Sequence, residues 1–228
     1  MKSIKIIILF LTFCSCSKDK YVNDFETTLG TENSKTLSEL VADFETDFLK
    51  RQYPNLKTES AYKKFLTELR DDKTADWKKI SENSRTLFAN SGLKDEIYRY
   101  PDSVWIEKDT SKMTIKSQAV VKSRFKYMND DGSIEYLENE SYHPSIKDLD
   151  INWVLEREKK SPRFNSTGKY LQALYQIKDR DTFFKNFYER KEVMGHIRPE
   201  TLANVMLQEN VDLKDYLVKR IIVLEIAY

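Results

Sequence analysis

The chain has 228 residues, of which 33% are charged, 40% hydrophobic and 12% aromatic, so it carries the core-forming side chains that disordered chains lack. Thirty-eight Lys and Arg against 37 Asp and Glu leave a formal charge of +1, which excludes the basic field expected of a nucleic-acid binder. Five glycines and five prolines are too few for glycine-rich phosphate loops or turn-dense sandwiches, and point to a helix-rich body with some strand.

Lys2 and Lys5 open the chain, residues 6 to 13 are apolar except for Thr12, and Cys14-Ser15-Cys16 leads into a polar stretch. That order is a secretory signal peptide, and its apolar run falls short of the roughly 20 residues of a membrane-spanning helix. Residues 13 to 19, FCSCSKD, resemble the lipobox of bacterial lipoproteins, and the short ending after the cysteine looks like that of the Bacteroidetes group. The resemblance implies cleavage after Ser15, lipidation of Cys16, and loss of Cys14 with the leader. Ser15 supplies the small residue such a site requires, whereas Cys14 follows the bulky Phe13. Phe13 also stands where the usual lipobox has Leu. Ser17, rather than the Asp that resembles an inner-membrane retention signal, implies the outer membrane. A mature chain starting at Cys16 holds no further cysteine, which excludes disulfides, thiolate metal sites and cysteine nucleophiles from the folded part.

Residues 17 to 35 are polar with scattered aromatics and read as a flexible tether, about 25 Å long on root-mean-square average as a random coil. The folded domain is then expected over residues 36 to 228. Residues 36 to 39 match a capping box, and Leu37, Leu40, Val41, Phe44, Phe48 and Leu49 recur at helical spacing until Tyr53-Pro54. A second helix is expected over residues 59 to 70. A third carries Trp77, Ile80, Ser84, Leu87 and Phe88, with Gly92 as its left-handed cap. Beyond Pro101, Val104-Trp105-Ile106 and Met113-Thr114-Ile115 read as short strands. Val121, Ser123, Phe125 and Tyr127 then alternate with Lys122, Arg124 and Lys126 before the turn at residues 129 to 132, the pattern of a hairpin, although Ala119-Val120-Val121 also fits a helix. Residues 145 to 167 are irregular, with Trp153-Val154-Leu155 as a strand or helical turn. Helical spacing returns at Tyr170, Leu171, Leu174 and Ile177, at Phe183, Phe184, Phe187 and Tyr188, and from Pro199 to Met206. Asp212 is placed as the cap of a last helix, and the apolar residues 221 to 226 continue its stripe. The fold class is α+β: a helix-rich single domain with a small antiparallel hairpin or meander in the middle.

Chemistry-bearing residues are few. His143 with Asp148 and Asp150 supplies ligand types that suit zinc, at a spacing matching no short motif. His196, beside Gly195, is a candidate general base. Neither a nucleophile elbow nor a convincing serine-lysine pair is present. Glu39, Asp43 and Asp47, with Arg51, read as one solvated helical face. The aromatics between Tyr170 and Tyr188 fit a core better than a sugar platform. Lys122, Arg124 and Lys126 form the candidate binding surface, with Glu135 across the turn as a neutralising partner. The expectation is a lipid-anchored envelope protein, with no cofactor, that binds a protein partner or supports an envelope assembly. A carboxylate-dependent glycan hydrolase and an immunity lipoprotein that neutralises a periplasmic toxin are its rivals.

Overall fold

The computed structural model describes residues 19–71, 73, 80–108, 119–128, 131–143 and 150–228. Asp19 accepts a hydrogen bond from the Tyr21 amide (3.0 Å) and starts helix α1 (Lys20–Leu29). The tether expected over residues 17 to 35 is therefore corrected: from Asp19 onward it is part of the fold. Val22, Phe25 and Leu29 lie three and four residues apart, form one stripe, and are buried. The polar residues between them occupy the opposite face, and their number masked the period. Gly30, at φ 90°, reverses the chain into α2 (Thr31–Asp43), and the Ser34 hydroxyl ties the two helices by donating to the Glu26 carbonyl at 3.1 Å. The helix thus starts before the capping-box pattern, which falls inside it.

From Phe44 to Leu49 the helix widens into a π-helical turn and then closes as α3 (Lys50–Gln52). The wider turn has a reason in the sequence. On an α-helix Leu49 would point about 140° away from Phe44, towards water. Hydrogen bonding from i to i+5 places it nearly above Phe44 instead, so Phe44, Phe48 and Leu49 are all buried. The rings of Phe44, Phe48 and Phe65 pack at centroid separations of 5.0 to 5.5 Å. Phe65 belongs to α4 (Thr58–Arg70), the expected second helix.

Helix α5 (Glu82–Ala89) is capped by the Ser81 hydroxyl, and Trp77, assigned to it from the sequence, lies outside the described residues. Gly92 does not cap it. It opens α6 (Gly92–Ile97), which runs into the two-residue strand β1 (Tyr98–Arg99). Strands β2 (Ser103–Lys108), β3 (Ala119–Met128) and β4 (Ile134–His143) form an antiparallel meander in that order. The hairpin over β3 and β4 was legible in the sequence, while residues 113–115 lie outside the described residues. Trp153-Val154-Leu155 falls in a helix, α7 (Ile151–Lys159), and the chain returns through β5 (Arg163–Phe164), which pairs with β1.

Four helices complete the body: α8 (Lys169–Ile177), α9 (Thr182–Met194), α10 (Pro199–Gln208) and α11 (Tyr216–Ile222), the last continuing as a π-helical stretch over Val223–Ala227. Asp215, not Asp212, caps α11, accepting from the amides of Leu217 (2.8 Å) and Val218 (3.0 Å). The helices share one hydrophobic cluster running from Val22 to Ile226. Val120, Val121, Phe125 and Val154 are buried apart from it, so the meander and α7 form a small lobe with apolar packing of their own. The fold is a helix-rich α+β domain with its sheet in the middle of the chain.

Candidate functional site

The expected binding surface lies on the meander. Strand alternation puts Trp105 and Glu107 of β2, Lys122, Arg124 and Lys126 of β3, and Tyr136, Glu138, Glu140 and Tyr142 of β4 on one face. The opposite face carries Val121 and Phe125 towards α7 and the body. Register then decides the charges. Lys122 stands opposite Glu140 and Trp105, and its ammonium is bracketed by Glu140 (3.2 Å) and Glu107. These carboxylates, Glu107 foremost, hold the Lys122 ammonium above the ordinary lysine range. The Tyr142 hydroxyl and Lys122 together lower the Glu140 carboxyl. Arg124 donates from Nε (3.0 Å) and Nη2 (2.7 Å) to one oxygen of Glu138.

The face is therefore not a basic patch. Glu107, Glu138 and Glu140 balance it, rather than the Glu135 expected across the turn. What the sequence did not reveal is an aromatic frame. The Arg124 guanidinium lies 5.3 Å from the Trp105 ring centroid and 5.7 Å from that of Tyr136. Tyr136 and Tyr142 are 57% and 61% exposed, and Ile134 at the turn end of the same face is 49% exposed. Strand β4 stands at the edge of its sheet. Exposed tyrosines and a held arginine are side chains that dominate protein interfaces energetically.

A second concavity, about 720 Å³, lies in the helical body, where α5, α9 and the C-terminal π-stretch converge on the β1–β5 ladder. Its floor is an ion pair between Lys191 and Glu225 at 2.7 Å, with side chains only 5% and 4% exposed. The other Glu225 oxygen accepts from the Tyr170 hydroxyl at 2.9 Å, and the Lys191 ammonium sits 4.4 Å from the Phe164 ring centroid. Burial, reinforced by Glu225, pushes the Tyr170 phenol well above the ordinary tyrosine range. Burial likewise raises Tyr98, in the cleft wall, to about 12. Gly195, at φ 67°, lets the backbone turn against Phe164, and exposed His196 follows it at the rim. Among the described residues that line the cleft, Glu225 is the one carboxylate side chain. With both of its oxygens engaged, it does not supply the free acid and base pair of a glycan hydrolase.

The remaining candidates scatter. Cys16 and Asp148 lie outside the described residues, as does the side chain of His143, whose backbone ends β4 in register with Ala119. Asp150 caps α7, accepting from the Trp153 amide at 3.1 Å. Among the described residues no group of three metal-ligating side chains comes together. The face read as solvated through Glu39, Asp43, Asp47 and Arg51 holds for the Arg51–Asp47 pair at 3.2 Å. It fails for Asp43, which accepts from Ser81 (2.9 Å) and from the buried Ser84 and so ties α2 to α5. Of the aromatic cluster, Tyr170, Phe183, Phe184, Phe187 and Tyr188 are core, and Tyr175 is half exposed. Comparison with protein families, with curated proteins and with solved structures finds no match to this chain.

Proposed function

We propose that the protein is a lipoprotein of the bacterial cell envelope, anchored through Cys16, that works by binding a protein partner through the exposed face of its meander. The observation that carries this reading is Arg124 held between the Trp105 and Tyr136 rings, with exposed Tyr142 on the same face and the charges paired in place. A partner that covers the rings gains apolar burial without having to reorganise the ion pairs beneath them. No nucleic acid, cofactor or metal enters the proposal, and the outer membrane is its proposed location. The test is capture of the lipidated protein with its partner from its own membranes, comparing wild type with Arg124→Glu and Tyr136→Ala. Both variants should lose a stoichiometric partner while keeping the wild-type circular dichroism. Retention of that partner by both would refute the assignment of the face. A partner that proves to be a toxin would select the immunity role within the same reading.

A further inference from the structure

The chain between Cys16 and the fold is short. Only Ser17 and Lys18 separate Cys16 from Asp19, which already caps α1 and lies 3.8 Å from Arg180. Whatever path they take, three peptide steps reach at most about 11 Å. A lipid on Cys16 therefore cannot sit far from the start of α1.

Two side chains beside that start suit a bilayer surface. The Tyr21 hydroxyl meets the Asp179 carbonyl at 3.5 Å, which brings the end of α8 beside the start of α1. In the last turn of α8, Tyr175 is half exposed and its ring holds the Lys178 ammonium 4.0 Å from its centroid. A tyrosine with an apolar body and a polar tip, and a lysine on a long stem, are side chains that settle at the level of lipid headgroups.

The other end of α1 leads to the sheet. The Asn33 side chain donates to the Leu29 carbonyl (3.1 Å), and Gly92, at the start of α6, approaches Asn33. Asn165 binds the α6 carbonyls of Asp95 and Ile97, both at 2.8 Å, which holds the β1–β5 ladder there. The meander follows β1 after three residues and is tied to it by Arg99, whose Nη1 donates to the Lys126 carbonyl.

We infer that the anchored protein stands on the membrane with the α1–α8 junction against the lipid headgroups and carries the meander face outward. This rests on the lipid-anchor reading above, and deepens it by naming the lipid surface as the second partner and fixing the orientation. Because the mature chain has no cysteine besides Cys16, a thiol label can be placed at will. The experiment uses the mature acylated protein in phosphatidylethanolamine and phosphatidylglycerol vesicles that carry an energy acceptor on a fraction of the headgroups. The donor is attached in Asp179→Cys or, on the meander, in Glu135→Cys, both at exposed positions.

Transfer from position 179 should exceed that from position 135 at least twofold. Inserting twenty Gly-Ser residues after Ser17 should remove the difference, since such a coil spans about 25 Å and frees the body to turn. Equal transfer in the uninserted protein, or stronger transfer from position 135, would overturn the orientation while leaving the anchor intact. Mass spectrometry of the mature N-terminus separates the two claims: an unacylated Cys16 would overturn the anchor and the orientation together.

Discussion

Phe25→Ala tests whether α1 belongs to the folded body. Phe25 is 1% exposed, flanked on its stripe by Val22 and Leu29, and part of the central hydrophobic cluster. Truncating a buried phenylalanine removes its transfer free energy and leaves a cavity, together worth about 3–5 kcal/mol. A domain holds only about 5–15 kcal/mol in total, so the variant keeps a fraction of its stability. With a urea slope of about 2 kcal/mol/M, the unfolding midpoint should fall by roughly 1.5–2.5 M. The control is Thr27→Ala, on the exposed side of the same helix, which should shift stability by less than about 0.5 kcal/mol. Equilibrium urea titrations followed by circular dichroism measure both. A Phe25→Ala midpoint within about 0.3 M of wild type, at unchanged slope, would show that the segment contributes nothing and that a flexible tether describes it after all.

Lys191→Met should cost about 3–5 kcal/mol, because it leaves the Glu225 carboxylate buried and unpaired, whereas Lys191→Met with Glu225→Gln should recover much of that loss; a double-mutant cycle in urea checks the coupling. Gly168→Ala should destabilise by about 3 kcal/mol, the upper end for overpacking, since its Cβ would come within 2.0 Å of the Glu96 carbonyl oxygen, a backbone atom that cannot swing aside; thermal unfolding measures it. Tyr98 holds its proton to about pH 12 when folded but only to about 10 when unfolded, so it stabilises the fold below pH 10 and that contribution is lost as pH rises from 10 to 12. Tyr98→Phe should therefore lose less melting temperature across that window than wild type, as a pH series of melts would show.

Where apolar residues outnumber polar ones on a stripe, as from Leu37 to Leu49 or over Tyr170 to Ile177, the helices were legible in the sequence. The β3–β4 hairpin announced itself through strict alternation and a turn of Asn, Asp and Gly. Helix α1 did not, because three apolar residues in ten satisfy one face without dominating the composition. Asp43 was misplaced for a different reason. Its partners Ser81 and Ser84 come from a segment some forty residues away, and helical periodicity cannot report a hydrogen bond across the fold. The floor of the cleft carried a signal that went unread: Glu225 interrupts the apolar run of residues 221 to 227, and a lone carboxyl there needs either a proton or a buried cation. Lys191 showed no such mark, since it sits in a charged stretch of α9 and only its position on the helix buries it. On the meander, β3 read alone as basic; pairing with β2 and β4 supplied both the acids and the rings.

The π-helical turn at Phe44–Leu49 makes this helix unequal along its length in its tolerance of a lost residue. A turn closed from i to i+5 amounts to an α-helical turn with one residue added, so removing exposed Thr46 lets the segment relax to α geometry. Leu49 then stands four residues beyond Phe44 and keeps its place over it, and the helices on either side stay in phase. The same deletion at Glu39, inside the regular part of α2, has no such slack to absorb it. It rotates every following side chain by about 100° and turns Phe44 and Phe48 out of the core.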